Sequence, residues 1–410
     1  MKRSTRRGLM TGISTNVLML GIVSLLTDMS SEMIYPILPL FLSAIGATGV
    51  LIGLIEGAAE TTASLIKVLS GWYSDRYQRR KVFLTLGYGL SSCAKPLLYF
   101  ATSAYQVLGI RIVERVGKGV RSAPRDALIA DSTPPGSWGK AFGFHKSMDS
   151  TGAVIGPLLI LPVLLAAAAV TVETYRIIFL LSTIPAVLAI VVIILFVKDL
   201  RPQSVEGKGR FLAGLHCLGP DFWRLMTVVV VFYLGEVSYA FFILQGQAAG
   251  LDTVTVILLY ILFNLTFVIT AIPSGALSDR LGRRPILAAS FLLFAATCAI
   301  MAIATDLYLL VVGFALFGVY KGSSEGVFKA YVSDVSPKGL RGTALGAFHT
   351  FVGLVMLPGG VIAGLLWDDL GPWATFTYGA LLAIGAVVLL FALGGKGARA
   401  QGSVAGKDQG

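Results

Sequence analysis

Charged side chains are scarce, at 13% of this 410-residue chain, about half the roughly 25% usual in soluble domains. With 55% hydrophobic residues and a mean hydropathy of +0.80, that scarcity excludes a water-soluble globular fold. Histidine and cysteine are scarcer still. His145, His216 and His349 are too few and too scattered for a histidine-rich transition-metal site. Cys93, Cys217 and Cys298 lack metal-ligand spacing, so neither a resident metal nor a cofactor is expected. A nucleophile elbow, a phosphate loop and a soluble sensor domain are missing too, which argues against an enzyme or a receptor. Nor is there a soluble basic domain to carry the net charge of +11, so no nucleic-acid partner is expected.

Long apolar runs fill the space these absences leave. Twelve of them, each able to cross a hydrocarbon core of roughly 30 Å as a helix, cover about 16–43, 48–73, 82–102, 104–130, 141–168, 175–197, 224–249, 252–277, 285–305, 307–333, 343–367 and 372–394. Backbone in lipid must satisfy its own polar groups, and runs of this length do so as helices rather than barrel strands. The expected fold is all-α and integral to the membrane. It comprises a basic N-terminus at 1–15, a six-helix bundle at 16–197, a polar linker at 198–223, a second six-helix bundle at 224–394 and a disordered tail at 395–410.

Lysine and arginine are distributed unevenly over the loops. Twenty-two fall on the side of the amino terminus, whereas the opposite side holds only Arg176. Basic residues are retained on the cytoplasmic side of short loops, so both termini are expected in the cytoplasm of a bacterial or archaeal cell, with the lipid bilayer as the main partner. The basic residues 1–7 ahead of an apolar run look like a secretory signal. Asp28 and Glu32 interrupt that run and no small-residue cleavage site closes a short core, so a first spanning helix is expected instead.

The chain repeats itself. Gly71-x-x-Ser74-Asp75-Arg76-x-x-Arg79-Arg80 returns 204 positions later as Gly275-x-x-Ser278-Asp279-Arg280-x-x-Arg283-Arg284. At an offset of 203, Lys118-Gly119 matches Lys321-Gly322, Asp131 matches Asp334 and Pro134 matches Pro337. Such duplication marks secondary transporters.

These residues resemble the major facilitator superfamily, whose loop between helices 2 and 3 carries Gly-x-x-x-Asp-Arg-x-Gly-Arg-Arg, repeated between helices 8 and 9. The second copy here matches throughout, and the first has Gln78 where glycine is usual. The resemblance implies twelve helices in two pseudo-symmetric six-helix bundles, alternating access to a central path, a small-molecule substrate, and a proton gradient as the coupling energy. Arg115-Val116-Gly117-Lys118-Gly119 resembles the Arg-x-x-Gln-Gly motif of proton-coupled members, with Lys118 in place of glutamine. Gly152, Gly156 and Pro157 resemble the core of the exporter motif on helix 5. Residues 27–32 and 121–131 are similar to a prokaryotic branch of drug exporters and nickel-resistance permeases. A monomer is expected.

Asp75 and Asp279 each stand one turn before paired arginines. With Gly71, Arg76, Arg79, Arg80, Gly275, Arg280, Arg283 and Arg284 they are expected to form a cytoplasmic gate, latched when those helix ends come together and broken when the inward path opens. Gly71 and Gly275 are expected to let helices approach closely.

An ionisable group at the bilayer centre costs at least about 2.5–3.5 kcal/mol, so a chain that keeps many must pair them or use them. Helical spacing puts Asp28 with Glu32 and Glu56 with Glu60, and makes Arg111, Arg115, Lys118 and Arg125 a basic stripe on the fourth helix. The acids of helix 1 are expected to face that stripe. Close acids resist carrying two charges, so Asp28, Glu32, Glu56 or Glu60 can accept a proton, release Arg115 or Lys118, and so admit or expel substrate. Expected substrate contacts are Asp28, Glu32, Arg111, Arg115, Lys118, Glu236, Lys321 and Glu325, with Glu236 alone on helix 7 and Glu325 the partner of Lys321. Static ion pairs that only hold helices together are the alternative. The expected function is proton-coupled efflux of a small organic molecule such as a drug or metabolite. Uptake of an organic anion, or export of a divalent metal of nickel or cobalt type, is the alternative, and the basic stripe disfavours the metal.

Overall fold

The computed structural model describes residues 14–77, 79–134, 137–199, 215, 217–337 and 340–393, without the side chains of Trp72, Asp75 and Arg76. The expected basic N-terminus, most of the linker and the tail lie outside the described residues. Twelve spans are seen among those described: α1 (Thr15–Ala44), α2 (Gly49–Tyr77), α3 (Arg80–Ala94), α4 (Ala104–Asp131), α5 (Trp138–Ala166), α6 (Val172–Phe196), α7 (Pro220–Ala248), α8 (Thr253–Leu281), α9 (Arg283–Ile303), α10 (Leu307–Asp334), α11 (Arg341–Asp369) and α12 (Pro372–Ala392). Ten are long and apolar enough to cross a membrane by length and composition alone. The other two, α3 and α4, are a short helix continued by a 3-10 turn at Lys95–Phe100 and the most highly charged helix of the chain. An even number of spans puts residues 14 and 393 on one side of the membrane, the terminal side, opposite a far side.

Proline and glycine break several spans within their length. Pro36 has no N–H to continue α1, which stops at Ile34 and resumes at Leu38. Pro96 tightens the end of the third span, and α7 pauses between Leu234 and Tyr239, around Glu236. Broken helices free backbone polar groups inside the membrane, which suits the walls of a transport path.

The repeat is visible in the packing. Gly119 brings α4 against Ala63 and Ile66 of α2, and Gly322 brings α10 against Phe267 and Thr270 of α8, at equivalent positions of the two halves. Arg80 pairs with Asp131 at 2.9 Å and Arg283 with Asp334 at 2.9 Å, so the equivalent aspartates Asp131 and Asp334 each hold one arginine of the adjacent motif pair, the second of the pair in the first half and the first in the second. Gly282, the motif glycine of the second copy, has φ +92°, a conformation that only glycine adopts readily. Its counterpart Gln78 lies outside the described residues.

On the far side the halves meet along α2 and α11. Gly53 and Gly360 face each other's carbonyls, Gly364 lies on the carbonyl of Gly49, and a Cβ added to Gly57 would stand 2.7 Å from the carbonyl of Met356. Asp368 at the end of α11 accepts from the backbone N–H of Gly49 at 2.7 Å and of Val50 at 2.9 Å, capping α2 from the other half.

Candidate functional site

Between the halves lies a cavity of about 570 Å³, walled by α1, α2, α4 and α5 on one side and by α7, α8, α10 and α11 on the other. It starts against Tyr35, Gly53, Tyr239 and Tyr260 and reaches Arg125, Lys146, Lys329 and His349. Because the far side is closed by the α2–α11 seam, the cavity opens toward the terminal side.

Close packing at Gly119 turns the basic stripe of α4 toward α2. The carboxylates that form ion pairs with it are therefore Glu56 and Glu60 of α2, while Asp28 and Glu32 of α1, expected to face the stripe, line the same cavity within electrostatic reach of Lys118 without pairing with it. Arg115 lies 3.1 Å from Glu60. Arg111 lies 2.5 Å from Glu114 and 3.4 Å from Glu56, has no exposed surface, and sits behind the cavity wall rather than on it. The Tyr35 ring covers both guanidinium groups, at 5.1 and 5.2 Å, an arrangement that partly replaces lost hydration.

The acids of α1 have other partners. A Cβ on Gly152 would lie 2.6 Å from the carbonyl of Leu25, and one on Gly156 would lie 2.6 Å from that of Met29, so these glycines let α1 lie directly on α5. Asp28 thereby comes within hydrogen-bonding reach of Asp149, which also holds Lys146 at 2.9 Å and accepts from Ser24 at 2.9 Å. Glu32 accepts from the Tyr260 hydroxyl at 2.8 Å, a bond that joins the two halves. Tyr260 continues through Tyr239 to Tyr35, with ring centres 5.8 and 6.2 Å apart, and forms the closed end of the cavity.

In the second half Glu236 is not alone. It accepts from Tyr320 at 2.6 Å and forms an ion pair with Lys321. Glu325, expected beside Lys321, pairs instead with Lys329 at 2.8 Å. The break in α7 brings the Glu236 carboxylate to α10, and Lys329 lies one turn beyond Glu325 on the same face.

The gate residues behave unequally. Arg283 bridges Asp279 at 2.5 Å and Asp334 at 2.9 Å, and Arg284 donates to the Tyr331 hydroxyl at 2.5 Å. Arg80 holds Asp131, while Arg79 and Arg280 are exposed. The side chains of Asp75 and Arg76 lie outside the described residues. A Cβ on Gly71 would stand 3.3 Å from that of Ala123, a close approach. Gly275 has nothing within 4 Å, so the close packing expected there is corrected.

The sequence profile of the Major Facilitator Superfamily matches residues 20–265 and 225–408. The chain belongs to that superfamily. It is 37% identical over 386 residues to an uncharacterized MFS-type transporter of Methanocaldococcus jannaschii, covering 92% of this chain and 95% of the relative. Its fold is similar to that of a variant of the nucleoside transporter NupG (TM-score 0.76, 13% identity, 92% and 98% coverage). It is also similar to a D-xylose-proton symporter (TM-score 0.74, 14% identity, 92% and 97% coverage). The protein is thus a multi-pass membrane transporter and not an enzyme.

Within the transporter, sequence reasoning missed Asp149, Tyr260, Tyr320 and Lys67 as cavity residues. Asp149 stands three residues from Lys146, a spacing that suggests a local ion pair. Nothing in the sequence says that α1 lies over it.

Proposed function

We propose that this transporter couples movement of a small organic molecule to protons, with Asp28 and Asp149 as the proton site. The supporting observation is their juxtaposition on the cavity wall: two carboxylates in reach of each other repel unless a proton lies between them. Glu32, one turn along α1, hydrogen-bonds across the halves, so charge on this face of α1 bears on how the halves meet. The excess of Lys and Arg on the terminal side supports cytoplasmic termini, and on that reading the cavity faces inward and alternating access follows from rocking of the halves.

Two directions of coupling are available. Efflux by antiport, implied by the resemblance at Gly152, Gly156 and Pro157, requires proton and substrate to exclude one another. Uptake by symport requires them to bind together. A thermal-shift ligand screen followed by flux in proteoliposomes, with and without a pH gradient, tests the proposal. The gradient should accelerate flux, and Asp28→Asn or Asp149→Asn should bind the same ligand and lose that acceleration. Variants that respond to the gradient as the parent does would remove the proton site, and the sign of the substrate-induced pH change gives the direction.

A further inference from the structure

Most basic side chains on the cavity wall are already engaged. Arg115 has Glu60, Lys146 has Asp149, Lys321 has Glu236 and Lys329 has Glu325. Arg125 has Asp126 at 2.9 Å, and Arg121 lies 4.2 Å over the Tyr88 ring. Lys67 and Lys118 differ, because among the described residues neither ammonium has a carboxylate within 4.0 Å although both line the cavity. They are also neighbours. Ser70 of α2 donates to the carbonyl of Gly119 of α4 at 2.8 Å, which fixes the turn bearing Lys67 beside the turn bearing Lys118.

We infer that Lys67 and Lys118 form an anion-accepting subsite and that the substrate carries an acidic group, a carboxylate, phosphate or sulfonate. This rests on the proposed transport path and proton site. Two like charges held together in a half-buried wall repel and are poorly hydrated, and an anion between them relieves both costs. Other charges near Lys67 reinforce the sign: Arg125, Lys118 and Lys329 repel it, and Asp126, itself held by Arg125, attracts it. His349 of α11 faces the same region. Asp28 and Glu32 of α1 lie within electrostatic reach of Lys118, as does Glu60 of α2, which is already paired with Arg115. A proton taken up by the Asp28–Asp149 pair removes negative charge from beside Lys118 and strengthens its hold on an anion. By reciprocity a bound anion favours the proton, so the two travel together, as in symport.

The subsite can be tested without knowing the substrate. In a chain with Cys93, Cys217 and Cys298 replaced by serine, Ser122→Cys places one thiol on the cavity wall a turn from Lys118. Its labelling by a sulfonate-bearing and by a trimethylammonium-bearing methanethiosulfonate is compared, each rate divided by that of free cysteine. The sulfonate should be favoured about tenfold or more. That preference should collapse in Lys67→Gln/Lys118→Gln and survive in Lys67→Arg/Lys118→Arg, which also shows that the fold tolerates change there. It should grow as pH falls from about 8 to about 6, and the growth should vanish in Asp28→Asn. No preference, or a preference untouched by the double glutamine variant, overturns the anion subsite. A preference that needs the lysines but shows the same pH response in Asp28→Asn overturns the coupling and leaves the subsite in place.

Discussion

Arg111 is charged, fully buried, and tied to Glu114 at 2.5 Å and Glu56 at 3.4 Å. Its worth to the fold lies in what its removal would strand, since a buried charge that loses its partner costs about 3–5 kcal/mol. Glu114 is the closer partner and does not line the cavity. Glu114→Gln should therefore cost about 3 kcal/mol of stability in detergent, read by thermal or chemical unfolding. A loss below about 1 kcal/mol would show that Glu56 alone compensates Arg111. Residue type and helical spacing revealed the acids and bases, but not their partners. Lys321 and Glu325 share a face of α10, yet the geometry pairs each with a different residue because α7 breaks beside Glu236. Side-chain reach between helices is a tertiary quantity, and sequence spacing holds no record of it.

At the scale of elements, the twelve spans were legible because lipid demands long, self-satisfied helices. Which helices touch was not legible: the repeat marks Gly119 and Gly322 as equivalent, and only the packing shows that both sit in a helix seam. Two other glycines drawn from sequence motifs part company in the structure. Gly156 is wedged under the backbone of α1, with Glu32 Cβ 2.8 Å from the place of an added methyl, whereas Gly275 meets nothing within 4 Å. Gly156→Ala should push α1 from α5, cost about 1–3 kcal/mol and disturb the positions of Asp28 and Glu32. Gly275→Ala, in an open stretch of helix, should be neutral or stabilise by up to about 1 kcal/mol. Unfolding curves and gradient-driven flux for the two variants make the comparison, and equal losses in both would contradict the packing described for α1 on α5.

For the whole molecule, alternating access requires the far-side seam to open, and that seam is closed by groups from opposite halves. The first N–H groups of a helix have no partner within it, yet those of Gly49 and Val50 are met by Asp368, which lies 319 positions away from Gly49 in the chain. The carboxylate also sits at the positive end of the α2 dipole. These contacts exist only while α2 and α11 are together, so Asp368 stabilises the state with the far side shut and contributes nothing once it opens. Asp368 is solvent-exposed, which limits the effect to about 1 kcal/mol, or roughly a fivefold change in the equilibrium between states. Asp368→Asn should raise the population open to the far side by that factor. Spin labels at Leu51 and Leu370 would report it as growth of a longer distance. Asp369→Asn is the matched control, a neighbouring exposed carboxylate that does not accept from the Gly49 and Val50 N–H groups, and it should leave the distances alone. Identical distance distributions for Asp368→Asn and the parent would mean that the glycine seam alone holds the far side closed, and the carboxylate cap would lose its role in the transport cycle.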